Sequence, residues 1–216
     1  MYEKAYFPNP LGQSFHYLRY LPAGYGSGPE VPLLVFLHGA GERGPADGSR
    51  LDDAARHGFF RYVREGREYP FMMVAPQCPG NNYWGCYTES LNRFLDEILR
   101  LYRVDKKRVY LTGLSMGGTG TWMWGIADPE RFAAIAPVCG TGVYWFGEKL
   151  AGKPVWAFHG GKDEICLPDE SINMVYSVNR FGDSARLTLY PDVGHDAWEY
   201  AYQGDDLVNW FLQQHL

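Results

Sequence analysis

One short stretch carries the chemistry most plainly: Gly113-Leu114-Ser115-Met116-Gly117. It follows the apolar run Val109–Thr112 and precedes Gly117–Ala127, a segment that reads as a helix. A serine set between strand and helix, with glycine on either side, is forced into a sharp and strained turn. Its hydroxyl then stands above the sheet, at a helix N-terminus whose free N–H groups favour negative charge. That is the placement a serine nucleophile needs. A glycine-rich turn without chemistry would have the same five letters, so the assignment depends on partners elsewhere in the chain.

A serine hydroxyl needs a base to take its proton, and the base needs an acid to orient it. Three histidines follow Ser115. His159 closes the apolar run Val155–Phe158, and His215, the penultimate residue, reads as solvated. His195 lies in Asp192-Val193-Gly194-His195-Asp196, a turn-rich loop just past the run Leu187–Tyr190, and is the expected base; Asp192 and Asp196 read as turn residues. The acid is expected from the loop after the preceding strand, His159-Gly160-Gly161-Lys162-Asp163-Glu164. Asp163 is the candidate and Glu164 the alternative, since only one of two adjacent side chains faces a cleft. The oxyanion that forms during acyl transfer needs preorganised N–H donors. Met116, just after the nucleophile, offers one. The loop Leu37-His38-Gly39-Ala40-Gly41-Glu42-Arg43-Gly44 offers the other, with Ala40 as the candidate donor and glycines that permit close approach. His38 reads as a brace for this loop. Glu42 and Arg43 read as a pair that holds it or as a solvated pair.

These side chains require a scaffold, and the apolar pattern supplies one. Glu3–Phe7 and Phe15–Leu21, split by Pro8-Asn9-Pro10-Leu11-Gly12, read as an antiparallel hairpin. Leu33–Leu37, Phe71–Ala75, Val109–Thr112, Ala133–Val138, Val155–Phe158 and Leu187–Tyr190 are short apolar runs of the kind expected for strands buried on both faces. Between them lie helix candidates: Glu89–Tyr102 at amphipathic spacing, Gly117–Ala127, Asp169–Phe181 behind Pro168, a short one near Leu51–Arg56, and Trp198–Leu216 at the end. This alternation predicts an α/β protein with a mostly parallel eight-stranded sheet, an antiparallel N-terminal hairpin and helices on both faces. It is the α/β-hydrolase layout, read as a single domain over 1–216, and the order Ser, Asp, His is the order that fold uses.

Composition narrows the partners. A formal net charge of -5, without a run of Lys or Arg, argues against nucleic acid. Apolar runs are too short to span a bilayer, so no membrane partner is expected. Met1-Tyr2-Glu3-Lys4 does not open a signal segment, which predicts a cytoplasmic protein, or a secreted one whose leader has been removed. Cys78, Cys86, Cys139 and Cys166 show neither Cys-x-x-Cys nor zinc spacing. Free thiols are expected, with a Cys78–Cys86 bridge as the alternative in an oxidising compartment. No metal and no cofactor is expected. Aromatic residues make up 16% of the chain, an excess that reads as a core rich in large side chains or as an aromatic-lined cleft. Trp84, Trp145 and Trp198, each close to a segment of the site, read as candidate substrate-binding walls or as ordinary packing.

Taken together, the sequence resembles the small α/β-hydrolase esterases grouped with polyhydroxybutyrate depolymerases, feruloyl esterases and predicted peptidases. The resemblance rests on an ordered set: LHGAGERG at Leu37–Gly44, APQCP at Ala75–Pro79 with Trp84 after it, GLSMGG at Gly113–Gly118, HGGKDEICLP at His159–Pro168, and GHDAW at Gly194–Trp198. It implies a triad of Ser115, Asp163 and His195, oxyanion donors at Ala40 and Met116, and hydrolysis of a small carboxylic ester, often an aryl or acetyl ester of plant origin. A peptidase or amidase could use the same triad. A non-catalytic ligand-binding protein could keep the same scaffold, although an intact triad argues against it. Only Gly39–Pro70 and Gly140–Gly152 are long connections, so an open cleft suited to short-acyl or aryl groups is expected. The oligomeric state is left open.

Overall fold

The apolar runs become eight strands: β1 (Tyr2–Phe7), β2 (Phe15–Tyr20), β3 (Val31–Leu37), β4 (Met72–Pro76), β5 (Val104–Leu114), β6 (Ala134–Val138), β7 (Val155–Gly160) and β8 (Ala185–Tyr190). In this computed structural model, which describes residues 1–80 and 82–216, they form one sheet ordered β1-β2-β4-β3-β5-β6-β7-β8. β2 is antiparallel to both β1 and β4, and every other neighbouring pair is parallel.

Side chains alternate along each strand, so continuous apolar runs feed two cores. Leu34 and Phe36 join Met73 and Tyr110 in one, while Leu33, Val35 and Leu37 join Met72, Val74 and Leu111 in the other. The first core is covered by Phe59 and Phe60 of α1 (Gly58–Arg64) and, at the chain end, by Leu207 and Phe211. The second is covered by Leu91 and Phe94 of α2 (Thr88–Leu101), Trp122 and Trp124 of α3 (Met116–Ala127), and Met174 and Val178 of α4 (Pro168–Asn179). Much of the aromatic excess goes here. The largest fully buried side chains are all aromatic, Trp84, Trp122 and Trp124 among them, and burying each contributes on the order of 2–3 kcal/mol.

Three elements differ from expectation. β5 reaches back to Val104 through Asp105–Arg108, polar residues at a strand end that an apolar run does not reveal. The helix expected near Leu51–Arg56 is a 3₁₀ segment, Leu51–Ala55, and the true helix, α1, begins at Gly58. Gly58 takes φ 64°, and a side chain there would strike the Phe36 ring, so the chain bends before it can continue helically. The terminal helix expected over Trp198–Leu216 is broken into α5 (Trp198–Ala201) and α6 (Asp206–Leu212). Gly204 is a poor helix former, Asp205 and Asp206 favour a new N-terminus, and Arg67 donates to the Gln203 and Gly204 carbonyls in the gap. Among the described residues no helix is long and apolar enough to cross a membrane.

Candidate active site

Ser115 sits between the end of β5 and the start of α3 with φ 53° and ψ -117°. Among the described residues, only it and Cys139 are non-glycine residues with positive φ. Such a backbone costs about 1–3 kcal/mol and persists only when its surroundings dictate it. They do: Ser115 N–H donates to the Val138 carbonyl (2.9 Å), and its own carbonyl accepts from Thr119 N–H (2.9 Å). A Cβ on Gly117 would collide with the Leu37 carbonyl, so glycine alone lets α3 approach β3 this closely.

The loops after β7 and β8 bring the partners. Ser115 Oγ–H donates to His195 Nε2 (2.8 Å), and His195 Nδ1–H donates to Asp163 Oδ2 (2.8 Å). The other Asp163 oxygen accepts from Ile165 N–H (2.9 Å) and Cys166 N–H (3.0 Å). Burial works to raise the Asp163 carboxyl, but the bonds from His195, Ile165 and Cys166 outweigh it and hold the group below the usual carboxylate range. An ionised Asp163 keeps the proton on Nδ1 and leaves Nε2 free to accept. Glu164 is exposed and takes no part.

β3 lies beside β5, with Leu37 paired to Gly113, so the loop after β3 leaves the sheet next to Ser115. Ala40 opens the 3₁₀ segment Ala40–Glu42 and Met116 opens α3. The first N–H groups of a helix have no carbonyl within it, which leaves both available to a substrate oxygen.

His38 braces this loop from within. It is buried, its Nε2 accepts from Cys78 N–H (2.9 Å), and its Nδ1–H donates to the Gly39 carbonyl (2.7 Å). Burial pulls its pKa down to about 4, against roughly 6.5 in an unfolded chain. Above pH 6.5 both states are neutral. Below it the unfolded chain takes a proton that the folded chain refuses until about 4, so stability is lost as pH falls through this window, by up to about 3 kcal/mol. Urea unfolding at pH 7 and pH 4.5 should register the loss, and His38→Gln, with no proton to gain, should flatten it. Equal losses in both chains would assign acid unfolding to carboxylates instead.

Around the loop Trp84 takes the packing role of its two expected readings, and the expected Glu42–Arg43 pair needs correction. Trp84 is 1% exposed; its Nε1–H donates to the His38 carbonyl (3.0 Å) and its ring packs edge-on against His38 at 5.0 Å. It supports the loop from beneath and lines no cleft. Glu42 and Arg43 do not pair with each other. Glu42 is buried and meets Arg56 (3.5 Å), while Arg43 donates to the Ala40 carbonyl (2.9 Å) and the Asn82 carbonyl (3.2 Å). The other two tryptophans are more accessible. Trp198 is half-buried with its ring centre 5.3 Å from that of His195 and the two rings perpendicular, and Trp145 is 73% exposed and stacked on Tyr144 at 4.3 Å.

All four cysteines are free thiols. Among the described residues one group with metal-ligand chemistry does assemble: Cys139, Asp163 and His195 offer atoms within 4.8 Å of one another, drawn from three loops far apart in sequence. Both His195 nitrogens are already engaged, and burial pushes the Cys139 thiol well above its usual range, so the donor set is poorly prepared for a cation. His159, expected only to close β7, is the residue most easily missed. It is fully buried beside Asp163, four positions before it, and that spacing is the sequence signal.

The sheet order, with a strained serine after β5 and two loops that reach it after β7 and β8, defines the α/β-hydrolase fold. No family model matches the chain. Its curated relatives include the bifunctional acetylxylan esterase/xylanase XynS20E of Neocallimastix patriciarum, 29% identical over 142 residues that cover 63% of this chain and 20% of that protein. The poly(3-hydroxybutyrate) depolymerase of Ralstonia pickettii is 30% identical over 121 residues, covering 48% of this chain and 24% of the relative. The matched regions thus span about a fifth to a quarter of these proteins. Among solved structures, a thermostable esterase superposes with a TM-score of 0.83 at 28% identity, over 100% of this chain and 63% of that one. A ferulic acid esterase shares the fold with a TM-score of 0.72 at 21% identity, over 98% of each chain.

Proposed function

We propose that residues 1–216 form one catalytic domain that hydrolyses carboxylic esters through Ser115, His195 and Asp163. The observation that carries this reading is the unbroken line Asp163–His195–Ser115, two hydrogen bonds of 2.8 Å ending on a serine in a strained turn. Ser115 Oγ attacks the ester carbonyl carbon as its proton passes to His195 Nε2. Asp163 stabilises the imidazolium, and the N–H groups of Ala40 and Met116 receive the oxyanion. Collapse breaks the C–O bond, and Nε2 returns the proton to the departing alcohol. Water, deprotonated by the same nitrogen, then releases the acid and restores Ser115.

Short-acyl and aryl esters are the proposed substrates. A relative named for acetylxylan and a fold neighbour named for ferulic acid point the same way. Trp145, exposed and backed by Tyr144, offers a face on which an aromatic group gains about 1 kcal/mol beyond area burial. Trp198, perpendicular to the ring of the base, offers a second aromatic surface. The test is kcat/KM across p-nitrophenyl acetate, butyrate, octanoate and dodecanoate, methyl ferulate, and acetyl p-nitroanilide. Acetate, butyrate and ferulate should exceed octanoate several-fold, and the anilide should be turned over far more slowly than the acetate. A maximum at octanoate or beyond would replace the short-acyl reading with a lipase, and preference for the anilide would replace the esterase with an amidase.

A further inference from the structure

We infer that His159 is a positioning residue for the acid of the triad: its Nε2–H, bonded to the Cys166 carbonyl and facing Asp163 Oδ2, fixes the carboxylate in the orientation His195 requires. This rests on the triad reading above and assigns a role to a buried imidazole that the reaction itself does not use.

His159 ends β7 and is 0% exposed. Its Nε2 lies 2.8 Å from the Cys166 carbonyl and 3.2 Å from Asp163 Oδ2, and its Nδ1 lies 2.7 Å from Ser171 Oγ on α4. A carbonyl oxygen can only accept, so Nε2 carries the hydrogen and the Ser171 hydroxyl donates to Nδ1. The ring is therefore held at both nitrogens by two different elements. Its N–H closes the loop at Cys166, the same residue whose backbone N–H, with that of Ile165, binds Asp163 Oδ1. Oδ1 accepts from two backbone N–H groups, and Oδ2 accepts from His195 Nδ1–H and lies 3.2 Å from His159 Nε2, whose hydrogen goes to the Cys166 carbonyl. A carboxylate surrounded in this way has no direction in which to rotate without losing a donor.

A merely space-filling histidine would need its bulk and its bond to Ser171, whereas a positioning residue needs the hydrogen on Nε2. Asparagine places its amide near the Nδ1 position and keeps only the Ser171 contact. Glutamine reaches the Nε2 position and keeps a donor toward Cys166 and Asp163. The pH profile separates the roles further. The ionisable groups around His195 are Asp163, Cys139, Asp196 and, across Trp198, His57; those around His159 are Asp163 and Cys166, with Glu170 beyond. The buried Cys139 thiol and the half-buried Cys166 thiol are both pushed up by desolvation and stay neutral across the working range. With these groups unchanged between variants, removing the N–H dipole that lies 3.2 Å from Oδ2 leaves more of the carboxylate's charge to the imidazolium. The acid limb of kcat/KM then moves to higher pH.

The experiment compares His159→Asn and His159→Gln with the parent chain on p-nitrophenyl acetate. His159→Asn should lower kcat by roughly 10- to 100-fold with little change in KM. It should also raise the acid limb by about half a pH unit. His159→Gln should stay within about threefold of the parent, a margin of under 1 kcal/mol. Equal losses in both variants with an unmoved acid limb would reduce His159 to packing. Should either variant fail to fold, ¹⁵N-histidine NMR of the parent chain decides: the Nε2–H tautomer is expected at His159, and the Nδ1–H tautomer would overturn the inference. Fluorophosphonate labelling of the parent chain is read alongside. Labelling away from Ser115 would remove the triad reading and this inference with it, whereas labelling at Ser115 with unmoved variants would remove this inference alone.

Discussion

Ser115→Ala is expected to lower kcat on p-nitrophenyl acetate by about 10⁶-fold while the fold stays intact, because removing the nucleophile of a triad costs about as much as removing the whole triad. What survives is the residual help of the oxyanion donors. The structural cost is small. Ser115 Oγ makes one bond, to His195 Nε2, in a partly exposed position, and its loss should change stability by no more than about 1 kcal/mol. The backbone at this position permits a sharper experiment. At φ 53° and ψ -117° a Cβ is strained and a glycine is not. Ser115→Gly should therefore be as inactive as the alanine variant yet more stable than it, by an amount on the order of 1 kcal/mol once the greater entropy of unfolded glycine is offset. Urea unfolding of the two variants and turnover of p-nitrophenyl acetate read both effects. A fluorophosphonate should label Ser115 in the parent chain and nothing in either variant. Turnover within 100-fold of the parent in Ser115→Ala would place the nucleophile elsewhere.

The parts of this site legible in sequence are those whose neighbours along the chain create them. Ser115 needs only β5, α3 and the flanking glycines. Asp163 and His195 follow strands whose apolar runs are uninterrupted, so both loops can be counted off in order. Residues whose role depends on what lies across from them were not legible. Trp84 follows a strand as visibly as Trp145 does, yet one is buried under the loop and the other is 73% exposed, because direction is set by α3 and His38 rather than by local spacing. Glu42 turns inward to Arg56 and not to its neighbour Arg43. The place of β4 between β2 and β3 is a matter of pairing, which apolar runs do not encode. His159 belongs to this second group: its spacing of four from Asp163 is visible in the sequence, but that Asp163 turns back toward it is set by the fold.

Asp163→Asn is expected to lower kcat by roughly 10⁴-fold, and the surrounding donors say why the loss should be as large as in the template triad. Asp163 Oδ1 accepts from two backbone N–H groups, Ile165 and Cys166, which cannot turn away. The amide oxygen of an asparagine must therefore occupy that side, and its NH₂ group must occupy the side of Oδ2. There it meets His195 Nδ1–H at a position now 2.8 Å apart, and two donors face each other. His195 can relieve this only by moving its proton to Nε2, so that Nδ1 accepts from the amide. Nε2–H then points at Ser115 Oγ and cannot take its proton, which removes the base while leaving every atom close to its place. Fluorophosphonate labelling of Ser115 should slow by a similar factor, since it too needs the deprotonated hydroxyl. Glu164→Gln, one residue along and exposed, should stay within about twofold of the parent. A loss under tenfold in Asp163→Asn, or the larger loss in Glu164→Gln, would move the acid to another carboxylate.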